Sequence, residues 1–176
     1  VWKGATCLGP AYQRCVLSLS RGGADAAVQR EFDTVTRRFV EAKDGGFTLP
    51  EAKGSVDWID NDTLYVATDV GPGSLTDSGY PRLCKFWKRG TPLDSARVLF
   101  EGQKTDMSVA AMHDDAPGFE RNFVRRSLAF YNNELFLLDP EFKLTKLEVP
   151  NSASRQSYCT VGSCCSSHGP SAPLIS

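Results

Sequence analysis

Short runs rich in β-branched and aromatic residues recur along this chain, and turns of Gly, Asp, Asn or Pro separate them. Runs of about 4–8 residues with such punctuation are typical of the strands of a β-sandwich, β-barrel or β-propeller. Residues 25–38 could form a helix by the spacing of their apolar residues, but the surrounding pattern favours two strands around a turn. The predicted strands cover residues 15–20, 27–32, 37–40, 55–59, 63–69, 82–88, 96–100, 108–113, 122–131, 134–138 and 143–149.

A weak internal repeat distinguishes among these folds. A unit of four strand runs fits residues 55–102 and fits again at 107–149, and its last three runs fit 16–40. A period of about 45–50 residues with four strands per unit is typical of propeller blades, because one blade cannot cover its own faces. The sequence therefore predicts an all-β fold, a partial β-propeller of about three four-stranded antiparallel blades over residues 1–150. A flexible Ser/Cys/Gly/Pro-rich tail is predicted over 151–176.

An incomplete propeller has an exposure problem. Rings usually have about four to eight blades, so two and three-quarter blades do not close. The first and last blades would leave apolar faces and strand edges uncovered, and such surfaces drive association. Since a two-fold dimer is the commonest closed arrangement, we expect the chain to self-associate as a dimer.

The charge balance and the apolar runs exclude two classes of partner. The chain has 20 Lys and Arg residues against 21 Asp and Glu residues, a formal net charge of −1. Nucleic-acid-binding domains carry a basic excess on one face. No apolar run approaches the ~20 residues of a membrane-spanning helix. We expect neither nucleic acid nor a membrane as a partner, and no cofactor or metal.

Six cysteines divide between the body of the chain and its end. Cys7, Cys15 and Cys84 are scattered, and Cys15 and Cys84 lie in apolar runs, so all three are predicted to be free and buried in a reducing compartment. The other three, with one histidine, have the chemistry of zinc ligands but lack the usual CxxC spacing, and a weakly ordered tail is favoured over a zinc site. These four residues are Cys159, Cys164, Cys165 and His168.

The motifs of common catalytic sites are missing from the sequence. There is no GxSxG nucleophile elbow, and residues 71–75 have the wrong spacing for one. His113 is the one histidine outside the tail; we expect a loop histidine, with a general base as the alternative. Carboxylates at Asp57, Asp60, Asp62 and Asp69 could serve acid–base chemistry or calcium. A hairpin turn explains Asp60 and Asp62 more simply.

Two loops supply candidate ligand-binding residues. The loop at residues 69–81 is long for a strand connection, and long ordered loops are often functional. A surface crossover without a ligand is the alternative. A second loop covers 114–121. The candidate ligand-binding side chains from the two loops and their flanks are Ser74, Thr76, Asp77, Tyr80, Arg82, His113 and Arg121.

Several segments between residues 2 and 150 carry a resemblance to a known family. The most specific is GPGSLTDSGYPR at 71–82, continued by KRGTPL at 88–93, and SLSRGGAD at 18–25 and DAPGFER at 115–121 agree with it. These segments resemble the N-terminal region of bacterial prolyl-oligopeptidase-family serine peptidases. That family joins an α/β-hydrolase domain to a seven-bladed propeller that screens the active site and admits only short peptides.

The resemblance implies that this chain corresponds to part of a propeller. The family's catalytic Ser, Asp and His lie in the hydrolase domain, so no catalytic residue can be carried over to this sequence. The tail from about residue 154 does not match, which favours a truncated, mobilised bacterial gene with a cytoplasmic product.

Three functions remain open on the sequence. The favoured one is a non-catalytic propeller fragment that self-associates, with peptide or protein binding through its loops. The alternative is an independent small-molecule or peptide-binding module that uses the loops around 71–82 and 114–121. An enzyme using Asp57, Asp60, His113 or the cysteines of the tail is the third.

Overall fold

The computed structural model describes residues 1–151. The predictions for Cys159, Cys164, Cys165 and His168 lie outside these described residues. Within them the chain forms strands and two short 3-10 helices, Ala42–Asp44 and Leu93–Ser95. The strands are β1 Trp2–Cys7, β2 Arg14–Leu19, β3 Ala27–Asp33, β4 Arg38–Phe39, β5 Thr48–Ala52, β6 Ser55–Asp60, β7 Thr63–Ala67, β8 Leu83–Lys88, β9 Arg97–Glu101, β10 Ser108–Asp114, β11 Arg121–Ala129, β12 Asn132–Leu138 and β13 Leu144–Lys146.

The strands form three antiparallel sheets in sequence order, which we call blades 1, 2 and 3. Blade 1 has the order β1-β2-β3-β4, with β5 also paired to β3. Blade 2 has the order β6-β7-β8-β9 and blade 3 the order β10-β11-β12-β13. This confirms the predicted all-β class and the blade repeat. Helix was the competing interpretation of residues 25–38, and that segment is β3, a turn and the start of β4.

The first blade is more complete than the sequence predicts. The strands β1 and β5 were not among the predicted runs, and β1 supplies the missing first strand of blade 1. Their sequences explain the omission. Gly4 interrupts β1 and Pro50 interrupts β5, and both residue types are depleted in strands. Pro50 has no N–H to donate, which suits an edge position.

Strand β7 is buried on both faces and joins two hydrophobic cores. All five of its residues are buried, and alternate side chains of a strand point to opposite faces. Leu64 and Val66 enter the core between blades 1 and 2, whereas Tyr65 and Ala67 enter the core between blades 2 and 3. Blade 2 is thereby covered on both sides by its neighbours, as the repeat predicts.

The two aromatic residues at the end of β8, Phe86 and Trp87, pack into different cores. Trp87 is buried between blades 1 and 2, where its ring meets Phe47 at a centroid distance of 4.9 Å. Phe86 packs against the other core and contacts Phe142 of blade 3 at 5.1 Å. Both aromatic side chains therefore lie at interfaces between blades.

The cysteine prediction is correct for one body residue and wrong for two. Cys84 is free and fully buried, and burial raises the pKa of its thiol to about 12. Cys7 and Cys15 instead form a disulfide between β1 and β2, where they are direct cross-strand partners. In this hairpin the two cysteines are eight residues apart in sequence and face each other across the strands. Their spacing alone did not predict this pairing. The argument for a reducing compartment needed free cysteines in the body of the chain, so this disulfide removes it.

No helix among residues 1–151 is long and apolar enough to cross a membrane.

Candidate functional site

The first strands of the three blades are neighbours and fix which loops share an end of the molecule. The Trp58 indole Nε1 of β6 donates to the carbonyl of Thr6 in β1 at 2.9 Å. The backbone N–H of His113 in β10 donates to Asp57 Oδ2 of β6, also at 2.9 Å. At the opposite end of β10, the Val109 N–H donates to the Pro81 carbonyl at 2.9 Å.

Two ends of the blade array follow from these bonds. The turns after β1, β6 and β10 lie together, and a Cβ added at Gly9 would clash with the Asp115 carboxylate; we call this the Asp115 end. The loops after β2, β7 and β9 lie together at the other end, where the Tyr80 hydroxyl donates to Asp25 Oδ2 at 3.0 Å; we call this the Tyr80 end.

The loop at the Tyr80 end is held by its own polar side chains. Ser74 is buried, and its hydroxyl bonds with Asp69 Oδ1 at 2.9 Å and the Gly71 carbonyl at 2.7 Å while accepting the Val70 N–H at 3.0 Å. Thr76 is also buried, and its hydroxyl lies 3.2 Å from the Met107 carbonyl oxygen. The hydroxyls of these two residues therefore hold the loop and its neighbour in place, and ligand binding by them stays a prediction.

Tyr80 and Arg82 tie this loop to its surroundings. The Lys53 ammonium lies 4.3 Å from the centroid of the Tyr80 ring, and the hydrogen bond to Asp25 raises the pKa of Tyr80. Arg82 donates to the Gly73 carbonyl through Nε at 3.0 Å and Nη2 at 2.6 Å, and its Nη1 lies 2.6 Å from Glu101 Oε1.

Asp77 is the most open of the predicted loop residues. It is exposed and lines a cavity of about 450 Å³ with Asp69, Lys104 and the glycines of the loop. Binding through this side of the loop stays a prediction.

The other two predicted residues lie at the Asp115 end. His113 Nδ1 is 2.8 Å from Asn122 Oδ1, and the Arg121 guanidinium is 5.4 Å from the Phe119 ring centroid. The loops around 71–82 and 114–121 therefore lie at opposite ends of the blades. One binding site cannot include both loops, because a blade length separates them.

Asp57 accepts the backbone N–H of His113 at 2.9 Å. Burial raises the pKa of Asp57, and the N–H groups of His113 and Trp58 that it accepts oppose that effect. Asp60 caps its own turn by accepting the Asp62 N–H at 2.8 Å, as the hairpin interpretation predicts. Within residues 1–151 no group of three or more His, Cys, Asp or Glu side chains could hold a metal ion.

An ion cluster between blades 1 and 2 was not predicted from the sequence. Glu31 is fully buried, and Arg89 reaches both of its oxygens, with Nη1 at 2.7 Å and Nη2 at 3.1 Å. The Phe47 N–H also donates to Glu31 at 2.9 Å. Arg14 and Arg89 line a cavity of about 560 Å³ at the Asp115 end. No local signal could have shown this cluster, because its partners are 58 residues apart.

A second buried ion pair lies between blades 2 and 3. The carboxylate of Asp106 is bound by the Arg126 guanidinium, with Nε at 2.7 Å and Nη2 at 2.8 Å, and by the Gln103 N–H at 2.6 Å. The Arg126 hydrogen bond in particular holds the pKa of Asp106 below its ordinary value of 3.8.

Asp106→Asn is expected to remove part of the acid sensitivity of the fold. A carboxyl whose folded-state pKa is lowered contributes stability above its unfolded-state pKa of about 4, and that contribution is lost as the pH falls through the folded-state value. At pH 7 the free energy of unfolding of the variant should be lower than that of the parent by roughly 1.5–3 kcal/mol, which is the range for hydrogen bonds to charged groups. The difference from the parent should shrink as the pH falls below about 4.

Urea unfolding over a pH series measures this effect. Asp77→Asn is the matched control, because Asp77 is exposed, and its stability should follow the parent within about 0.5 kcal/mol. A constant difference between Asp106→Asn and the parent at every pH would contradict the role given to the carboxylate.

Comparison with known proteins places this architecture among peptidases. No protein-family model matches the chain. The chain is 39% identical over 163 residues to an uncharacterized peptidase of Sinorhizobium fredii, a match that covers 90% of this chain and 22% of that protein. It is 31% identical over 159 residues to an uncharacterized peptidase of Rickettsia prowazekii, covering 81% of this chain and 21% of the relative. The chain thus spans about a fifth of the length of these relatives.

Solved structures with the same blade arrangement are longer chains as well. A post-proline cleaving enzyme from Rickettsia typhi superposes with a TM-score of 0.75 at 29% identity, over 86% of this chain and 23% of that chain. Oligopeptidase B from Leishmania major has a TM-score of 0.60 at 11% identity, over 86% of this chain and 20% of that chain, which is a likeness of fold. The chain therefore forms β-propeller blades, and it is similar in sequence and in blade arrangement to about a fifth of these much longer peptidases.

Proposed function

We propose that this segment is a non-catalytic part of a peptidase propeller and that an uncovered blade face brings two copies of the chain together. The observation that carries the proposal is the face of blade 1 that turns away from blade 2. Val16 and Glu31 are cross-strand partners that point toward blade 2. Their neighbours in β2 and β3 must then point to the opposite face.

That opposite face carries four half-buried apolar side chains, and Arg30 lies among them with its guanidinium 4.3 Å from the centroid of the Phe39 ring. Leu19 and Val28 are direct partners across β2 and β3, and Phe32 is the partner of Phe39 across β3 and β4. The two phenyl rings meet edge to face at 5.3 Å. All four side chains keep part of their surface open. Such a surface gains free energy when another copy covers it, and a two-fold arrangement lets the same patch cover itself.

The hydrogen bonds of His113 support a structural role for this segment. Among the described residues His113 is the one histidine, and it bonds with Asn122 and Asp57. The buried hydroxyl of Ser74 belongs to the Tyr80 end, a blade length away. Ser74 and His113 are therefore too far apart to act as nucleophile and base.

Sedimentation equilibrium tests the association. The full chain should sediment as a dimer at micromolar concentrations, and Val28→Glu should shift it to monomer, because a charge in the contact is costly to desolvate. Val35→Glu is the matched control, since Val35 is exposed in the turn between β3 and β4, and it should stay dimeric. Urea unfolding of both variants verifies that they fold.

Two results would overturn the proposal. A chain that stays monomeric at all concentrations would remove the association. Cleavage of a proline-containing peptide by the purified chain would remove the non-catalytic role.

A further inference from the structure

The disulfide between Cys7 and Cys15 lies on the uncovered face of blade 1. Cys15 is the partner of Phe32 across β2 and β3, and Phe32 is the partner of Phe39 across β3 and β4. Since Val16 points toward blade 2, its neighbour Cys15 points to the opposite face. Cys7 is the direct cross-strand partner of Cys15 and is bonded to it there. The disulfide is therefore part of the surface for which self-association is proposed.

The two cysteines of this bond differ in exposure. Cys7 lies at the end of β1 and is half-buried, whereas Cys15 is 4% exposed. A thiolate from outside can therefore approach the bond from the side of Cys7. Cys84 is fully buried, and burial raises the pKa of its thiol to about 12. Because the thiolate is the reactive form of cysteine, the Cys7–Cys15 bond is the one exchangeable site among the described residues.

Hydrogen bonds hold the β1–β2 hairpin on both sides of the disulfide. The Leu8 N–H donates to the Arg14 carbonyl at 2.9 Å, and the Ser20 N–H donates to the Val1 carbonyl at 2.8 Å. The Trp58 indole also ties β1 to blade 2. Reduction would therefore leave the strands paired and act locally, where two thiol sulfurs no longer share a bond and must move apart.

We propose that the Cys7–Cys15 bond is a thiol–disulfide exchange site and that its reduction by a dithiol weakens the contact between two copies of the chain. This inference rests on the self-association proposed above. A thiolate of the dithiol attacks the Cys7 sulfur, so that a mixed disulfide forms and the Cys15 sulfur leaves as a thiolate. The second thiol of the reductant then displaces Cys7 and closes the reductant's own disulfide. The two cysteines take up the two protons that the oxidised dithiol has lost.

The separated sulfurs change the surface that a second copy must cover. Contacts between protein copies depend on close shape complementarity, and Cys15 lies beside Phe32 in the register of this face. The effect is reciprocal, because a reduction that weakens the dimer by some factor is itself disfavoured by dimer formation by the same factor. A second copy would also cover the Cys7 sulfur, so the dimer should be reduced more slowly than the monomer.

Sedimentation equilibrium in the two redox states tests the coupling. The full chain carries Cys159→Ser, Cys164→Ser and Cys165→Ser, so that no thiol of the tail can join two copies. Reduction with dithiothreitol should raise the dissociation constant of the dimer by about tenfold or more, which corresponds to about 1.4 kcal/mol. The double variant Cys7→Ala/Cys15→Ala is the control, and its dissociation constant should not respond to dithiothreitol. Urea unfolding verifies that this variant folds.

Thiol labelling of the same chain tests the exchange site itself. After reduction in the native state and removal of dithiothreitol, maleimide should label Cys7 faster than Cys15, because exposure limits the reaction. The reduction of the oxidised chain should slow as the chain concentration rises, since the dimer covers the bond. Val28→Glu is the matched control, because this variant should stay monomeric and be reduced at a rate that does not depend on its concentration.

The outcomes separate this inference from the proposed function. Equal dissociation constants in the two redox states, or a native disulfide that dithiothreitol does not reduce, would overturn the inference and leave the self-association intact. A chain that is monomeric in both redox states would overturn the self-association and, with it, the control by the disulfide. Faster labelling of Cys15 than of Cys7 would contradict the direction of attack.

Discussion

Glu31→Ala is expected to lower the free energy of unfolding by about 3–5 kcal/mol, because it removes one partner of a buried ion pair. Glu31 is fully buried in β3, whereas Arg89 follows β8, so the pair joins blade 1 to blade 2. The substitution leaves the Arg89 guanidinium without its main counter-ion beside the Phe47 ring, 4.5 Å from the centroid. It also removes the acceptor of the Phe47 N–H.

Glu31→Gln separates the charge from the shape of this side chain. The amide oxygen can still accept one N–H, but it no longer neutralises Arg89. We therefore expect the free energy of unfolding of Glu31→Gln to lie between those of the parent and of Glu31→Ala. Hydrogen exchange should be accelerated more for backbone amides of blade 1 and of its contact with blade 2 than for those of blade 3, because stability varies locally across a fold.

A surface ion pair provides the control for Glu31. Glu51 lies 3.5 Å from Arg21, whose side chain is 88% exposed, and exposed pairs contribute about 0–1 kcal/mol. Urea unfolding of Glu51→Ala should match the parent within about 0.5 kcal/mol. If Glu31→Ala and Glu51→Ala were equally stable, the buried pair would not hold the blades together.

The blade repeat could be predicted because each strand is indicated by the residues of its own short segment. Strand β7 shows the reason: its run of β-branched and aromatic residues is buried on both faces, and such a run predicts a strand regardless of its partners. The edges of blade 1 could not be predicted in the same way. There the pairing of β3 with β5 overrides the weak strand propensity around Pro50.

Contacts between distant residues account for what the sequence did not reveal about the candidate sites. The sequence motif that carries Ser74 and Thr76 predicted ligand binding, but in the structure both hydroxyls donate to backbone carbonyls of their own loop. The ion pair of Glu31 depends on how β3 meets the turn that follows β8. A glutamate in a strand gives no sign of this, because its partner lies 58 residues away.

Trp58→Ala is the second substitution with a large expected effect, about 3–5 kcal/mol of lost stability. Trp58 is 3% exposed in the core between blades 1 and 2, where its ring meets Phe47 edge to face at 5.7 Å. Alanine would leave a cavity that the rigid strands on both sides cannot close. It would also remove the hydrogen bond from the indole to the Thr6 carbonyl, which links the first strands of two blades across 52 residues of sequence.

The same substitution on the surface gives a matched control for this loss. Trp2 is 68% exposed at the start of β1, and Trp2→Ala should change the free energy of unfolding by at most about 0.5 kcal/mol. Trp58→Phe should fall between the two, because the phenyl ring fills part of the space but cannot donate to Thr6. Urea unfolding followed by circular dichroism measures all three variants. Equal losses for Trp58→Ala and Trp2→Ala would mean that blade 1 is not anchored through this core, since only one of the two indoles lies in it.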